Sequence, residues 1–335
     1  MRVLSPGERL ELSRRSLLGG AALLAGTPRL ASAAAPTAIN GVVIGKSGWL
    51  FATWDVLHPV VPRLVTNVTS IMNEAIGILK SKGIATAVTL LPARSRLYGE
   101  FLPDGLVLKP EVVARYSQAL RELRAPGTLV PDLATALADA RRAQPQVPLF
   151  FKADTHWMPA GAEAAALAFA REVIAKAGLP ASTQPGTQFG TPVEMEHVND
   201  LARLLPAPQR DQFPLQTYMF RPPVSAQDSL TEEDKADVAV VGNSYMQPKY
   251  GFSPMLSYQL QRPVSLMWDV NQVGPYQMLL RYLASDMFRQ QRPKLIVWNI
   301  HEMDLENEPS LTEIWGQNSM TAQSFISEVR KRVGA

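Results

Sequence analysis

Residues 84–91 form a nearly continuous apolar run, the pattern of a strand buried on both faces. Residues 237–241 and 294–300 read the same way, and 147–151 reads as a shorter strand. Between these runs the apolar spacing becomes helical. In 62–82, Leu64, Val68, Ile71, Ala75 and Ile78 fall near one face, and Gly83 follows as a stop. Helices are predicted over 111–123, 134–143, 159–177 and 273–288, with Pro159 suited to a first helical turn. Residues 41–51 read as strand, glycine turn and second strand. Residues 182–235, rich in Pro, Gln and Thr, read as an irregular insertion or cap. Apolar strands alternating with helices predict an α/β fold, a parallel sheet flanked by helices. No strong linker divides 34–335, so this stretch is expected to be one domain carrying the insertion. In such sheets ligands bind outside the carboxyl ends of the strands, which directs attention to motifs that follow strands.

The first thirty-odd residues change the picture. Ser13-Arg14-Arg15-Ser16 precedes a short apolar run, and Ala31-Ser32-Ala33 follows as a small-residue cleavage site. This is the order of a twin-arginine export signal over 1–33. The run is too short to span a bilayer, which takes about 20 residues. The expected location is therefore the periplasm, with retention of the segment as an anchor the lesser alternative. The formal charge of +3 arises in this leader: residues 1–33 hold five arginines and two acids, leaving 28 basic and 28 acidic residues in the rest. A balanced mature chain gives no case for nucleic acid as a partner. With no cysteine among the 335 residues, disulfides, thiol nucleophiles and thiolate metal sites are excluded.

Three motifs follow strands. In Val-Val-Gly242-Asn243-Ser244-Tyr245 a serine projects from the end of a buried strand, where a nucleophile would stand. Gly242 gives room for a sharp turn, and backbone N–H groups there suit an oxyanion. Gly, Asn and Ser are equally common in ordinary strand-to-loop turns. In Asp154-Thr155-His156-Trp157, an extended loop lets the carboxylate and the imidazole point the same way, as a base and its orienting partner. Helix capping by Asp154 beside a surface histidine would use the same residues. A metal is not expected, since Asp154 and His156 are too few ligands and Glu194-Met195-Glu196-His197 reads as a solvated face. Last, Arg94 and Arg96 follow the 84–91 strand, either to hold an acyl or sugar group or as solvated loop charges.

Taken together, these segments resemble the SGNH-hydrolase-like polysaccharide O-acetyltransferases, the alginate acetylation AlgJ/AlgX family, over nearly all of the mature chain. GKSGWLF, LLPARSRLYGEFLP, FKADTHWMPAGAEAAA, VVGNSYM and YLASDMFRQQRPKLIVWNIHEMDL carry the resemblance. Asp-Thr-His-Trp followed far downstream by Gly-x-Ser is its most specific part. Ordinary SGNH hydrolases have the serine first, so this order is permuted. The resemblance implies that Ser244 carries the acetyl group, His156 is the base and Asp154 orients it. Gly242, Asn243, Tyr245, Arg96, Asn271, Gly274 and Trp157 are the oxyanion or substrate-binding candidates. Asn243 stands where many relatives have Asp or Thr, Met158 replaces a Thr, and Met246 replaces a Ser. The implied partners are an exported polysaccharide as acceptor and a membrane acyltransferase as acetyl donor, with no cofactor. Alginate and a cellulose-like exopolysaccharide are the candidate acceptors; the balanced charge favours the weakly charged one. A carbohydrate acetyl esterase with the same triad, and a non-catalytic polysaccharide-binding assembly factor, are the rival readings.

Overall fold

A computed structural model describes residues 38–224 and 236–334. The expected export signal over 1–33 and residues 225–235 of the expected insertion lie outside the described residues. The centre is a four-stranded parallel sheet of β1 (Ala85–Leu91), β2 (Val238–Gly242), β3 (Val264–Trp268) and β4 (Leu295–His301), in the order β3-β2-β4-β1. Successive side chains leave a strand on opposite faces, and here both faces are covered. Val88, Leu90, Ala239, Val241, Ile296, Trp298 and Ile300 enter one core with the helices Pro62–Ser81, Pro110–Arg124, Gly274–Ala284 and Ala322–Val333. Ala87, Leu91, Val238, Val240, Leu295 and Val297 enter the other with Leu133–Ala143, Pro159–Lys176 and Phe252–Leu260. Burial on two sides is why these strands read as unbroken apolar runs rather than alternating ones. Among the described residues, no helix is long and apolar enough to cross a membrane.

The structure corrects three expectations. Residues 147–151 are not a strand of the sheet. They form one side of a tight loop in which Phe151 N–H donates to the His156 carbonyl (3.2 Å), Met158 N–H to that of Leu149 (2.8 Å), and Leu149 N–H to the Tyr98 hydroxyl (3.0 Å). The segment is apolar because it is buried, not because it lies in a ladder. The 273–288 helix breaks at Ser285, whose Oγ accepts from Phe288 N–H (3.2 Å) and starts a second short helix, Asp286–Gln290. The insertion is more regular than its composition suggests. It contains an antiparallel pair, Val193–His197 with Gln216–Phe220, joined through two short helices, Asp200–Leu204 and Ala207–Arg210. Ahead of the sheet, Ala38–Ile39, Val42–Ile44 and Leu50–Ala52 make a small antiparallel meander.

Candidate active site

The carboxyl end of β2 runs into a sharp turn. A side chain at Gly242 would come within 2.7 Å of Asn299 Cβ and Met246 Cγ, so only glycine lets the strand pass here. Asn243 then turns the chain. Its N–H donates to Asn299 Oδ1 (3.2 Å), its Nδ2 to Asn271 Oδ1 (2.9 Å), and its Oδ1 accepts from Tyr245 N–H (3.1 Å). Ser244 opens a single 3₁₀ turn, Ser244–Met246. Its N–H makes no hydrogen bond among the described residues, which leaves it free to donate.

The Asp154–His156 loop approaches from the facing layer. His156 Nε2 is 2.8 Å from Ser244 Oγ, and His156 Nδ1 is 2.7 Å from Asp154 Oδ1, across 88 residues of sequence in the first case. The imidazole lies between Tyr250 (ring centroids 5.0 Å apart) and Tyr245 (4.8 Å). Asp154 is held by four groups. Its Oδ1 also accepts from His156 N–H (2.8 Å), while its Oδ2 accepts from Asp200 N–H (2.8 Å) and lies 2.7 Å from His197 Nε2. Burial alone would raise this carboxyl, but the hydrogen bonds from His156 and His197 outweigh it and hold it well below the usual 3.8. Asp154 is therefore an acceptor only, which requires a proton on His156 Nδ1 and leaves Nε2 as the lone pair facing Ser244.

The loop is built from buried charge. Arg94, 1% exposed, sends Nη1 to the Phe151 carbonyl (2.8 Å) and to that of Asp154, with its guanidinium near the Trp49 and Phe51 rings. Arg96 pairs with Glu302 through Nε (2.7 Å) and Nη2 (2.5 Å), and Glu302 also accepts from Ala93 N–H (2.8 Å) and Arg115 Nε (3.4 Å). These arginines are not solvated loop charges, and their contacts are with the protein itself. They spend their charge on protein carbonyls and a buried carboxylate.

The other candidates divide. Tyr245 ties the two halves together, since its hydroxyl donates to the Thr155 carbonyl and its own carbonyl accepts from Trp157 Nε1 (3.0 Å). Trp157 is fully buried, so its indole packs rather than meets a substrate. Gly274, at φ +77°, lies against Trp315, whose ring a Cβ there would strike at 2.7 Å. Asn271 supports the Ser244 turn through Asn243 and also reaches toward the buried Asp304 carboxyl, which burial pushes up to about 7 against hydrogen bonds from Asn307 and Asn271. Sequence reasoning passed over His197, Asp200 and Tyr250. His197, which with its neighbours reads as a solvated face, is 3% exposed and stacked on Phe151, ring centroids 3.7 Å apart. It is the one buried residue of its strand, and its partner lies 43 residues away in sequence. Asp200 Oδ1 accepts from Thr155 N–H (2.7 Å), and its Oδ2 from Thr155 Oγ1 (2.5 Å). Asp154, His156 and Asp200 lie close enough together to invite a cation. However, both Asp154 oxygens already face N–H donors and Nε2 faces Ser244, so the donor set fits a hydrogen-bonded relay better than a metal.

The family described as "SGNH hydrolase-like domain, acetyltransferase AlgX" matches residues 42–302. The probable alginate O-acetylase AlgJ of Pseudomonas putida is 29% identical over 290 residues, spanning 81% of this chain and 72% of that protein. Its counterpart from Pseudomonas aeruginosa is 27% identical, spanning 82% and 72%. Among solved structures, the O-acetyltransferase domain of Pseudomonas putida AlgJ superposes with a TM-score of 0.70 at 26% identity, covering 87% of this chain and 99% of that one. Pseudomonas aeruginosa AlgX shares the fold, with a TM-score of 0.57 at 20% identity over 81% of this chain and 68% of its own.

Proposed function

Because this chain belongs to the AlgX family of SGNH hydrolase-like acetyltransferases, we propose that it moves acetyl groups through Ser244 onto hydroxyls of an exported polysaccharide. The observation that carries this reading is the 2.8 Å approach of His156 Nε2 to Ser244 Oγ, with His156 Nδ1 held by an ionised Asp154. Ser244 Oγ attacks the acetyl carbonyl of the donor while Nε2 takes its proton. The Ser244 N–H donates to the oxyanion. Collapse breaks the bond to the donor's leaving group, which receives the proton from His156, and leaves an acetyl ester on Ser244. A sugar hydroxyl then gives its proton to Nε2, attacks the ester and becomes acetylated, and Ser244 recovers its proton. Water in place of the sugar would make the same site an esterase. In a merely polysaccharide-binding protein the triad would be idle.

The donor in this scheme is a membrane acyltransferase that delivers acetyl across the inner membrane. Residues 1–33 act as the twin-arginine address to the periplasm, and 34–335 as the acetyltransferase domain. The alginate O-acetylases to which the chain is similar suggest a polysaccharide acceptor. Charge favours a weakly charged glycan, such as a cellulose-like glucan, over a polyuronate. The mature chain is balanced, and Arg94 and Arg96 are committed to internal partners. Incubation of mature protein with an acetyl ester and a panel of cello-oligosaccharides and oligomannuronates, followed by mass spectrometry, tests the reading. The expected product is an acetylated cello-oligosaccharide that is absent with Ser244→Ala. Free acetate as the sole product identifies an esterase, and acetylation of oligomannuronate alone overturns the acceptor.

A further inference from the structure

Four of the six tryptophans are buried to 3% exposure or less. Trp157, Trp298 and Trp315 each donate the indole N–H to a backbone carbonyl, those of Tyr245, Pro275 and Glu308. Trp54 is half-buried against the N-terminal meander. Trp268 is the most open of the six. It is 37% exposed, and among the described residues its ring makes no aromatic pair and its indole N–H no hydrogen bond.

Its place in the fold is specific. Trp268 ends β3, paired in register with Gly242, two residues before Ser244, and the following Asp269 N–H donates to the Gly242 carbonyl (3.3 Å). Alternation along β3 sets its side. Val264 and Leu266 pack on the core that contains Tyr245 and Met246, while Met267 packs on the other, so Trp268 leaves the sheet on the side of the His156 loop. The turn beyond it is pinned: Asp269 Oδ1 accepts from Val270 N–H (2.8 Å) and its Oδ2 from Arg281 Nη1 (2.7 Å). Val270 adjoins it, 51% exposed. A rigidly mounted, half-open indole one strand from the nucleophile offers a flat apolar face and a free N–H donor. That combination matches a pyranose ring, which has an apolar C–H face and a polar rim.

We propose that Trp268 is the platform on which a pyranose of the acceptor stacks, so that the ring hydroxyls meet the acetyl ester on Ser244. This rests on the transferase reading above and assigns to it an acceptor subsite. A weakly charged glycan can be gripped this way without a basic groove. The donor step does not need the platform, because Ser244 is acetylated and the donor's leaving group departs before the sugar is engaged.

The test is Trp268→Ala and Trp268→Tyr in the whole mature protein, assayed twice. One assay follows acetyl transfer to cellohexaose or, if that is not acetylated, to an oligomannuronate. The other follows release of p-nitrophenol from p-nitrophenyl acetate without glycan. With Trp268→Ala the acceptor KM should rise roughly tenfold, as loss of one stacked aromatic face implies. Release of p-nitrophenol should stay within about twofold, and Trp268→Tyr should recover most of the acceptor affinity. An unchanged acceptor KM in Trp268→Ala, with transfer still abolished by Ser244→Ala, overturns the platform and spares the triad. Equal loss in both assays overturns it too, by assigning Trp268 to support of the nucleophile turn. If the wild-type protein acetylates no glycan, the reading beneath the proposal fails, and the subsite with it.

Discussion

Asp154→Asn is the most informative single change, because so many donors converge on one carboxylate. Asp154 faces four N–H groups, from His156 backbone, His156 Nδ1, Asp200 backbone and His197 Nε2, at 2.7–2.8 Å. An asparagine keeps one accepting oxygen and brings two donors of its own. Two of the four groups therefore lose their acceptor, at about 1–3 kcal/mol each, so folding should weaken by roughly 2–6 kcal/mol. Catalysis suffers separately. If the amide donates to His156 Nδ1, the imidazole proton moves to Nε2, which then cannot take the Ser244 proton. The same tautomer error lowers kcat by about 10⁴-fold in a serine protease. The pH dependence has a definite sign. A carboxyl held below its unfolded value of 3.8 contributes stability above that value and loses it as pH falls toward the folded one. Wild type should thus shed this contribution in acid while Asp154→Asn has none to shed, and the gap between them should narrow. Urea unfolding at neutral pH and below 3.8, with p-nitrophenyl acetate turnover, measures both effects. Turnover within about tenfold of wild type, or a gap that stays constant into acid, would refute the reasoning.

Three further outcomes are expected. His197→Phe should lower kcat by up to about a hundredfold through loosened aim of Asp154, and His197→Gln, which can still donate to Oδ2, should recover part of it; equal effects of the two would show His197 to be mere filling. Glu302→Gln should cost about 3–5 kcal/mol in urea unfolding at neutral pH, because it leaves the largely buried Arg96 charge uncompensated and Arg115 with Glu306 alone; a change below about 1 kcal/mol would mean that the buried pair is not needed. Lys at both Arg14 and Arg15 should hold the precursor in the cytoplasm, as fractionation would show, because a twin-arginine receptor reads the pair and not just its charge.

How far the sequence leads depends on how local each cause is. The strands β1, β2 and β4 are buried on both faces and announce themselves as apolar runs. The edge strand β3, Val264–Trp268, is only half-buried, so it carries no such signal. The three groups nearest the proposed chemistry, Ser244 at a strand end and His156 and Asp154 in a tight loop, lie in motifs that sequence alone can mark. What aims them is remote. His197 is 43 residues from Asp154, Glu302 is 206 from Arg96, and Arg94 is 60 from Asp154. A polar residue at the surface of the sequence pattern looks solvated until the fold supplies its partner, as it does for Arg94, Arg96 and His197.

The central claim is that acetyl passes through Ser244. The most direct measurement is to mix mature protein with p-nitrophenyl acetate, quench in acid, and locate any added acetyl group by mass spectrometry of the intact chain and its peptides. The account predicts one acetyl group on the peptide holding Ser244, discharged when an accepting glycan is added before the quench, and none in Ser244→Ala. An acetyl group at another residue, or transfer to glycan at full rate by Ser244→Ala, would contradict it.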